Sequence, residues 1–232
     1  MMDKTIGILI YTKIIKDNDL YIRILSQNDE IISGIVYGGN SSKKKNIYQN
    51  GYYLKFSYSK RNENRPNTII AEIHNPFMGS IIDDKYKLSC LLSIMSIINI
   101  VIVEGQKVKD IYKLIDKFLN KLISEKTWIR LYCKWIFDLL KIIGYEIDYK
   151  SNLNKKFFNI STQMFTEKNN DNVVVFPHQY LISEKKIDIN SLNIIFLIFE
   201  YILKNNHLMN NNYSLPIPYM RFRKIILDFF KI

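Results

Sequence analysis

The chain has few of the residues that build disulfide frameworks, metal sites or sharply kinked loops. Its 232 residues include only two cysteines, three histidines, five prolines and eight glycines. Cys90 and Cys133 lie far apart, and neither has a CxxC partner or a histidine at ligand spacing. This usage predicts two free thiols in a reducing compartment and no disulfide framework. We also expect no bound metal and no cofactor.

Motifs that mark common active sites are missing as well. The sequence has no GxGxxG, GxxxxGK[ST] or GxSxG pattern, which argues against a dinucleotide fold, a P-loop and a nucleophile elbow. His74, His178 and His207 are scattered along the chain, and a lone histidine is more often structural than catalytic. We therefore predict that the protein is not an enzyme. An enzyme of unrecognised type stays an alternative, which a bound metal or a deep polar pocket would favour.

No segment has the length and apolarity of a signal peptide or a membrane span. The most apolar run, residues 88–103, is interrupted by three serines and an asparagine. It is also shorter than the ~20 residues that cross a bilayer, so it predicts a buried helix. We expect a soluble, cytoplasmic protein without a membrane partner.

Positive charge is abundant, since 33 Lys and Arg residues against 22 Asp and Glu residues give a formal net charge of +11. An excess of this size favours a polyanionic partner such as nucleic acid. Isoleucine, asparagine and lysine are used heavily along the whole chain, which is typical of base-composition drift. The local clustering of lysines is therefore better evidence for a binding site than their total.

The first eighty residues read as a run of short strands. Five segments are rich in β-branched and aromatic residues and are separated by turn residues: they are residues 5–13, 20–26, 30–37, 52–60 and 68–74. No segment of helix length lies between them. Five antiparallel strands of this kind predict a small closed barrel of the OB-fold type.

Helical periodicity takes over after residue 80. Apolar residues recur at helical spacing in segments 108–123, 128–143, 191–203 and 219–230, in addition to the buried run 88–103. A less regular insert covers residues 150–187, with one possible strand at 172–176. We therefore predict an α+β protein with a five-stranded OB-fold barrel in residues 1–80 and a mostly α-helical domain in residues 81–232.

The loop between the third and fourth predicted strands carries the densest local charge. It begins with Gly38 and Gly39 and contains the run Lys43–Lys45. Basic groups interleaved with aromatic faces suit single-stranded nucleic acid, although a lysine run is often only a solvated loop. The predicted DNA-binding residues are Arg23, Lys43, Lys44, Lys45, Tyr48, Lys55, Lys60, Arg61 and Arg65. An RNA-binding OB module with a helical oligomerisation or interaction domain is the alternative.

The third predicted helix carries two tryptophans and two cations. Trp128 and Trp135 lie seven residues apart on one face and are expected in the core. Arg130 and Lys134 lie four residues apart. They belong either to a solvated face or to the rim of a pocket for a partner.

The order of these elements resembles the RecO family of recombination mediators, in the version common in alphaproteobacteria. The resemblance covers nearly the whole chain, through motifs that are each degenerate. The matching segments are residues 34–39 (GIVYGG), 49–54 (QNGYYL), 132–140 (YCKWIFDLL), 143–145 (IGY), 158–161 (FNIS), 174–177 (VVFP), 215–216 (LP) and 221–223 (RFR). Ile136 stands where the family usually has a glutamate.

The resemblance implies a non-enzymatic role in recombinational repair. Such proteins bind single- and double-stranded DNA, anneal strands coated with single-strand-binding protein, and act with RecR to load RecA. Many family members also have a four-cysteine zinc site, but residues 149–154 of this chain contain no cysteine, so no zinc is expected here. The family's helical domain binds the acidic, Phe-ended tail of single-strand-binding protein. Arg130 and Lys134 are the expected basic rim of that pocket.

Overall fold

The computed structural model describes residues 4–59, 66–75, 77–168, 171–183, 188–209 and 214–231. The N-terminal strands are β1 (Thr5–Lys16), β2 (Asp19–Ser26), β3 (Ile31–Val36), β4 (Tyr53–Ser59) and β5 (Asn67–Asn75). They form a closed barrel in the order β1-β2-β3-β5-β4. The fold class is α+β with an N-terminal five-stranded barrel, which confirms the prediction of an OB-fold followed by helices.

Apolar side chains from all five strands fill the interior of the barrel. Strand β2 buries every second residue from Leu20 to Ile24, and β4 buries Leu54 and Phe56 on either side of the exposed Lys55. The interior contains Leu9, Leu20, Ile22, Ile24, Ile32, Val36, Leu54, Phe56 and Ile69. Four of the five strand contacts are antiparallel. The fifth contact, between β3 and β5, is parallel and, in the described part of the two strands, pairs Gly34 with Asn67 and Ile35 with Thr68. A Cβ on Gly34 would lie 2.5 Å from the backbone oxygen of Asn67, so this close approach requires glycine.

Six α-helices lie within the described residues. They are α1 (Lys85–Val101), α2 (Ile111–Ser124), α3 (Trp128–Ile142), α4 (His178–Ile182), α5 (Ile189–Ile202) and α6 (Ile217–Phe229). Helix α5 continues as a π-helical segment, Leu203–Leu208. The carboxylate of Asp84 caps α1 by accepting the amide protons of Tyr86 and Lys87, at 3.0 and 3.1 Å.

The chain divides into two compact units. One contains the described residues through Ile115 together with Pro216–Phe222, and the other contains Asp116–Leu215 and the residues from Arg223 onward. Helix α1 belongs to the first unit, where it packs against β1. The predicted second domain, residues 81–232, includes this helix. The boundary at residue 80 stays a prediction.

A turn of the barrel caps the N-terminus of α2, whose first residues belong to the first unit. Asp29, between β2 and β3, adopts a left-handed conformation with φ of 66°. Its carboxylate accepts the amide protons of Asp110 and Tyr112, at 2.9 and 3.0 Å. The carboxylate therefore accepts hydrogen bonds from two amides at the N-terminus of α2 that have no partner within the helix. This cap explains why α2 begins at Ile111 and not at residue 108, where the periodicity alone placed it.

The second unit has an aromatic core. Tyr132 and Trp135 of α3 stack at 5.7 Å, and Phe118 of α2 and Phe196 of α5 pack against Tyr132. Trp128 and Trp135 are both buried, which confirms their predicted place in the core.

The irregular insert is more ordered than its sequence indicated. Besides β8 (Val173–Val175), near the predicted strand, it contains β6 (Phe157–Asn159) and β7 (Met164–Thr166) in a sheet of order β7-β6-β8. Ring contacts of 4.9 to 5.8 Å join Phe158, Phe165 and Phe176. Strands of three residues are too short to show a period, and for that reason the sequence did not reveal them.

Candidate nucleic-acid interface

The basic loop, residues 38–51, is a chain of tight turns. Gly38 has a φ of +64°, which favours glycine, and its amide donates to the Asp19 carboxylate at 2.7 Å. The amide of Asn40 donates to the carbonyl of Asn18 at 2.8 Å, and the amides of Lys44 and Lys45 donate to Ser41 at 3.0 and 2.9 Å. The first two hydrogen bonds fasten the start of the loop to the β1–β2 hairpin, and the last two close a turn within the loop.

The three lysines of this loop are exposed. Lys43, Lys44 and Lys45 all lie in the turn region and have no acidic partner among the ion pairs of the described residues. Three adjacent ammonium groups repel one another, and that repulsion is relieved when an anion binds. The loop therefore presents a compact cationic site on a folded backbone.

Tyr48 anchors the far end of the loop and does not offer a ring to solvent. Its side chain is 6 % exposed and packs within the barrel core. Burial raises the pKa of the Tyr48 hydroxyl, while a hydrogen bond with the backbone of Ala71 acts in the opposite direction. The prediction that Tyr48 stacks on a base is corrected, because the ring faces the barrel interior.

The turn that leads into β4 depends on Gly51, whose φ is +93°. A Cβ at this position would lie 2.6 Å from a methyl group of Leu91 on α1. The amide of Gly51 also donates to the carbonyl of Leu9 at 2.7 Å. The segment 49–54, which carried part of the family resemblance, is therefore a structural turn between the loop and the barrel.

Arg23 lies on the outside of β2, between the buried Ile22 and Ile24, but its guanidinium contacts the end of a helix. It donates to the carbonyls of Asn99 and Ile102, at 2.6 and 3.1 Å, and also to the Asn99 side chain. A cation at a helix C-terminus satisfies carbonyls that have no partner within the helix. Since its donors are engaged in this way, Arg23 is removed from the proposed DNA surface.

Lys55 is exposed on β4 and belongs to a small charged cluster. It pairs in register with Glu72 of β5, whose carboxylate forms a 2.9 Å ion pair with Lys4. Lys4, and to a smaller extent Lys55, lower the pKa of the Glu72 carboxyl. Lys55 therefore remains a candidate contact beside a local negative charge. Lys60, Arg61 and Arg65 lie outside the described residues.

Arg130 and Lys134 of α3 have different surroundings. The guanidinium carbon of Arg130 lies 5.5 Å from the centre of the Tyr180 ring, in a cation–π contact. Lys134 lines an open pocket of about 370 Å³. The remaining lining residues are Asp138, Tyr149, Lys150, Leu153, Leu181 and Ile182. The two cations therefore do not line one pocket, and the second basic residue beside Lys134 is Lys150.

The pocket of Lys134 is lined by apolar side chains and by charged ones. Leu153 and Ile182 are half exposed, at 55 % and 50 %. Burial raises the pKa of Asp138 at its edge, although Lys150, Lys117, Lys141 and Lys134 each act to lower it. Among the lining residues, two cations, Lys134 and Lys150, stand against the one carboxyl of Asp138. Lys150 was missed in the sequence because it follows α3 in an irregular segment without a period.

A buried thiol lies beneath Arg130. Cys133 is fully buried, and burial raises its pKa to about 12, while Tyr180 and Arg130 act to lower it. Cys90 is also buried and free. Among the residues that the structure describes, no three His, Cys, Asp or Glu side chains are grouped as metal ligands. In the same part of the chain, no helix has both the length and the apolarity to cross a membrane.

No family model matches the chain, but curated proteins do. It is 26% identical over 220 residues to a DNA repair protein RecO from Rickettsia canadensis (strain McKiel), covering 90% of both chains. The match to the same protein of Rickettsia akari (strain Hartford) is 29% identical over 145 residues, covering 62% of this chain and 60% of the relative. The match to the same protein of Rickettsia bellii (strain OSU 85-389) is 27% identical over 146 residues, covering 63% of this chain and 60% of the relative. These matches confirm the resemblance to the RecO family that the sequence motifs carry.

Proposed function

We propose that this chain acts in DNA repair and recombination as a DNA-binding mediator that makes and breaks no covalent bond. The observation that carries the proposal is the exposed Lys43–Lys45 run on a loop fastened to an OB-type barrel. Relatives named DNA repair protein RecO support the same role.

The mechanism follows from electrostatics. Strands of DNA repel each other through their phosphates, and a protein that neutralises phosphates releases counterions and brings strands together. Single- and double-stranded DNA both carry this charge, so the loop suits both. By analogy with the family, we propose that the chain anneals complementary strands and, with RecR, helps to load RecA onto strands coated with single-strand-binding protein.

The test is the salt dependence of binding to a fluorescent oligonucleotide. Replacing Lys43, Lys44 and Lys45 together by alanine should weaken binding and reduce the slope of log K against log salt by roughly two to three phosphate contacts. A matched control replaces three exposed lysines elsewhere, Lys126, Lys168 and Lys204, and changes the net charge equally.

The control variant should keep a steeper slope than the loop variant. Equal slopes for the two triple variants would contradict the assignment of the loop. RNA bound as tightly as DNA, without strand annealing, would instead favour the RNA-binding module. An annealing assay with and without single-strand-binding protein separates the mediator from simple DNA binding.

The pocket beside Lys134 is the proposed site for the tail of single-strand-binding protein. A Phe-ended acidic peptide needs an apolar slot for its ring and fixed cations for its carboxylates. Leu153, Leu181 and Ile182 supply the apolar surface, and Lys134 and Lys150 supply the cations. Arg130 is left out of this rim because it is not among the residues that line the pocket.

A further inference from the structure

The tip of the β1–β2 hairpin carries two neighbouring exposed isoleucines. Ile14 is 56 % exposed and Ile15 is 45 % exposed. The register of β1 against β2 shifts between Ile14 and Lys16, so Ile15 is the extra residue of a β-bulge. Successive side chains of a regular strand point to opposite faces. The bulge instead leaves both isoleucines accessible at one end of the barrel.

This tip lies next to the start of the basic loop. Asn18, in the turn of the hairpin, accepts the Asn40 amide at 2.8 Å, and the Asp19 carboxylate accepts the Gly38 amide at 2.7 Å. Lys13 and Lys16, on either side of the isoleucines, are exposed. The hairpin and the loop therefore form one continuous surface in which apolar side chains stand among lysines.

The charge of this surface selects its occupant. Five lysines, at positions 13, 16, 43, 44 and 45, stand against Asp17 and Asp19. The carboxylate of Asp19 is already engaged by the Gly38 amide. A second copy of this chain would bring the same lysines and a net charge of +11, so it would be repelled. A polyanion that also offers apolar faces fits, and nucleic acid with unpaired bases has both.

We propose that Ile14 and Ile15 form an apolar wedge that packs against unstacked bases while the basic loop holds the phosphates of the same strand. Apolar side chains that insert between bases unstack them without reading their sequence. This inference rests on the proposed DNA-binding function and assigns base contact to the hairpin. A mediator that pairs strands needs its bound bases separated from one another, and the wedge supplies that separation.

The hairpin behind the tip is built to hold such a wedge in place. Tyr11 and Tyr21 meet edge to face on its outer side, with ring centres 6.5 Å apart. Lys13 pairs directly with Tyr21 across the two strands. Cross-strand aromatic contacts stabilise a two-stranded hairpin that extends beyond the rest of a sheet. The tip therefore presents its isoleucines on a stiff support.

The experiment uses a single-stranded oligonucleotide that contains 2-aminopurine, whose fluorescence rises when it is unstacked. Saturating wild-type protein should raise the fluorescence, and the variant I14T/I15T should not, because threonine keeps the β-branch but removes apolar surface. Its affinity should fall about tenfold, because the apolar contacts between the isoleucines and the bases are lost. The matched control is Ile70→Thr, at an isoleucine of β5 that is 70 % exposed, and it should behave like the wild type.

The outcomes separate the wedge from the DNA-binding function. If I14T/I15T raises the fluorescence as the wild type does, the wedge is overturned while DNA binding stands. If the wild type binds the oligonucleotide without any rise in fluorescence, the wedge is again overturned. If the wild type does not bind the oligonucleotide at all, the proposed function itself fails. Circular dichroism of each variant confirms that the comparison is made between folded proteins.

Discussion

The guanidinium of Arg23, on strand β2, donates to the carbonyl of Ile102 at 3.1 Å, across seventy-nine positions of the sequence. It donates to the Asn99 carbonyl as well, so one side chain of the barrel satisfies two carbonyls at the end of α1. A residue that looked like a phosphate contact is a helix cap.

Replacing Arg23 by alanine should therefore affect stability more than DNA affinity. The change leaves carbonyls without a charged donor, and such hydrogen bonds are worth about 1.5–3 kcal/mol in the free energy of unfolding. Lysine at this position should restore part of the loss, because it keeps the charge at the helix end. Urea denaturation measures the effect. An R23A protein of unchanged stability with a reduced salt slope for DNA would contradict this assignment and restore Arg23 to the DNA surface.

Tyr48 should behave as an anchor of the basic loop. Truncation to alanine removes a ring that is 6 % exposed from the barrel core, and large aromatic truncations cost about 3–5 kcal/mol. Phenylalanine keeps the packing and should cost about 1 kcal/mol for the lost hydroxyl contact. Thermal melts give both values. Tyr48→Phe should also bind an oligonucleotide like the wild type, and a loss of affinity in that variant would argue that the hydroxyl reaches the DNA.

Cys133 should make stability fall in alkali. Its pKa is raised from 9.0 to about 12 in the folded protein by burial, so the unfolded chain loses the proton first. The stabilisation is present below pH 9 and is lost as the pH rises towards about 12, by about 1.4 kcal/mol per pH unit over that window. Urea midpoints measured between pH 8 and pH 11 test the slope.

The control for this effect is Cys133→Ala, in which the part of the slope due to the thiol should vanish. Its stability below pH 9 will be lower because a cavity is left, so only the dependence on pH is compared. Ellman's reagent gives an independent measurement. Cys133 should react slowly in the folded protein and fully in urea, and rapid reaction of the native thiol would contradict its burial.

Lys134 and Lys150 should control binding of an acidic peptide that ends in phenylalanine. Replacing both by alanine removes two charges from the rim of the pocket, and we expect affinity to fall by about tenfold at low salt. Lys204→Ala, at an exposed lysine of the same unit, is the control and should have little effect. Fluorescence anisotropy of a labelled peptide measures all three. If the double variant still binds the peptide, the peptide binds at another surface and this pocket is not its site.

The barrel was predictable because its strands alternate regularly, and each predicted strand overlaps an observed one. The alternation of β2, in which Ile22 and Ile24 are buried, is consistent with Arg23 on the outside of the strand. What it could not show is that the end of α1 covers the outer face there, since that contact joins residues far apart in sequence. Tyr48 was misplaced for a related reason: a single tyrosine in a polar loop has no period, so its burial is decided by the turn that follows it.

The candidate site could be predicted only where its charged residues are adjacent in the sequence. The three adjacent lysines are visible in any reading of the sequence, and the structure places them on an exposed turn. Lys150 and the isoleucines of the hairpin tip gave no comparable signal, because the pocket depends on tertiary packing and the tip depends on a bulge. Whether the lysines bind DNA stays a prediction for the salt experiment.

The parallel contact between β3 and β5 has a consequence for how the barrel opens. Among the residues that the structure describes, its register pairs are Gly34–Asn67 and Ile35–Thr68, whereas β1 and β2 share eight. A ring with one short seam separates there first when it fluctuates, because few hydrogen bonds must break at once. Amides at this seam should therefore exchange with solvent well before those of the hairpin. We therefore expect the closed ring to open first at this seam, into a five-stranded ribbon whose ends are β3 and β5.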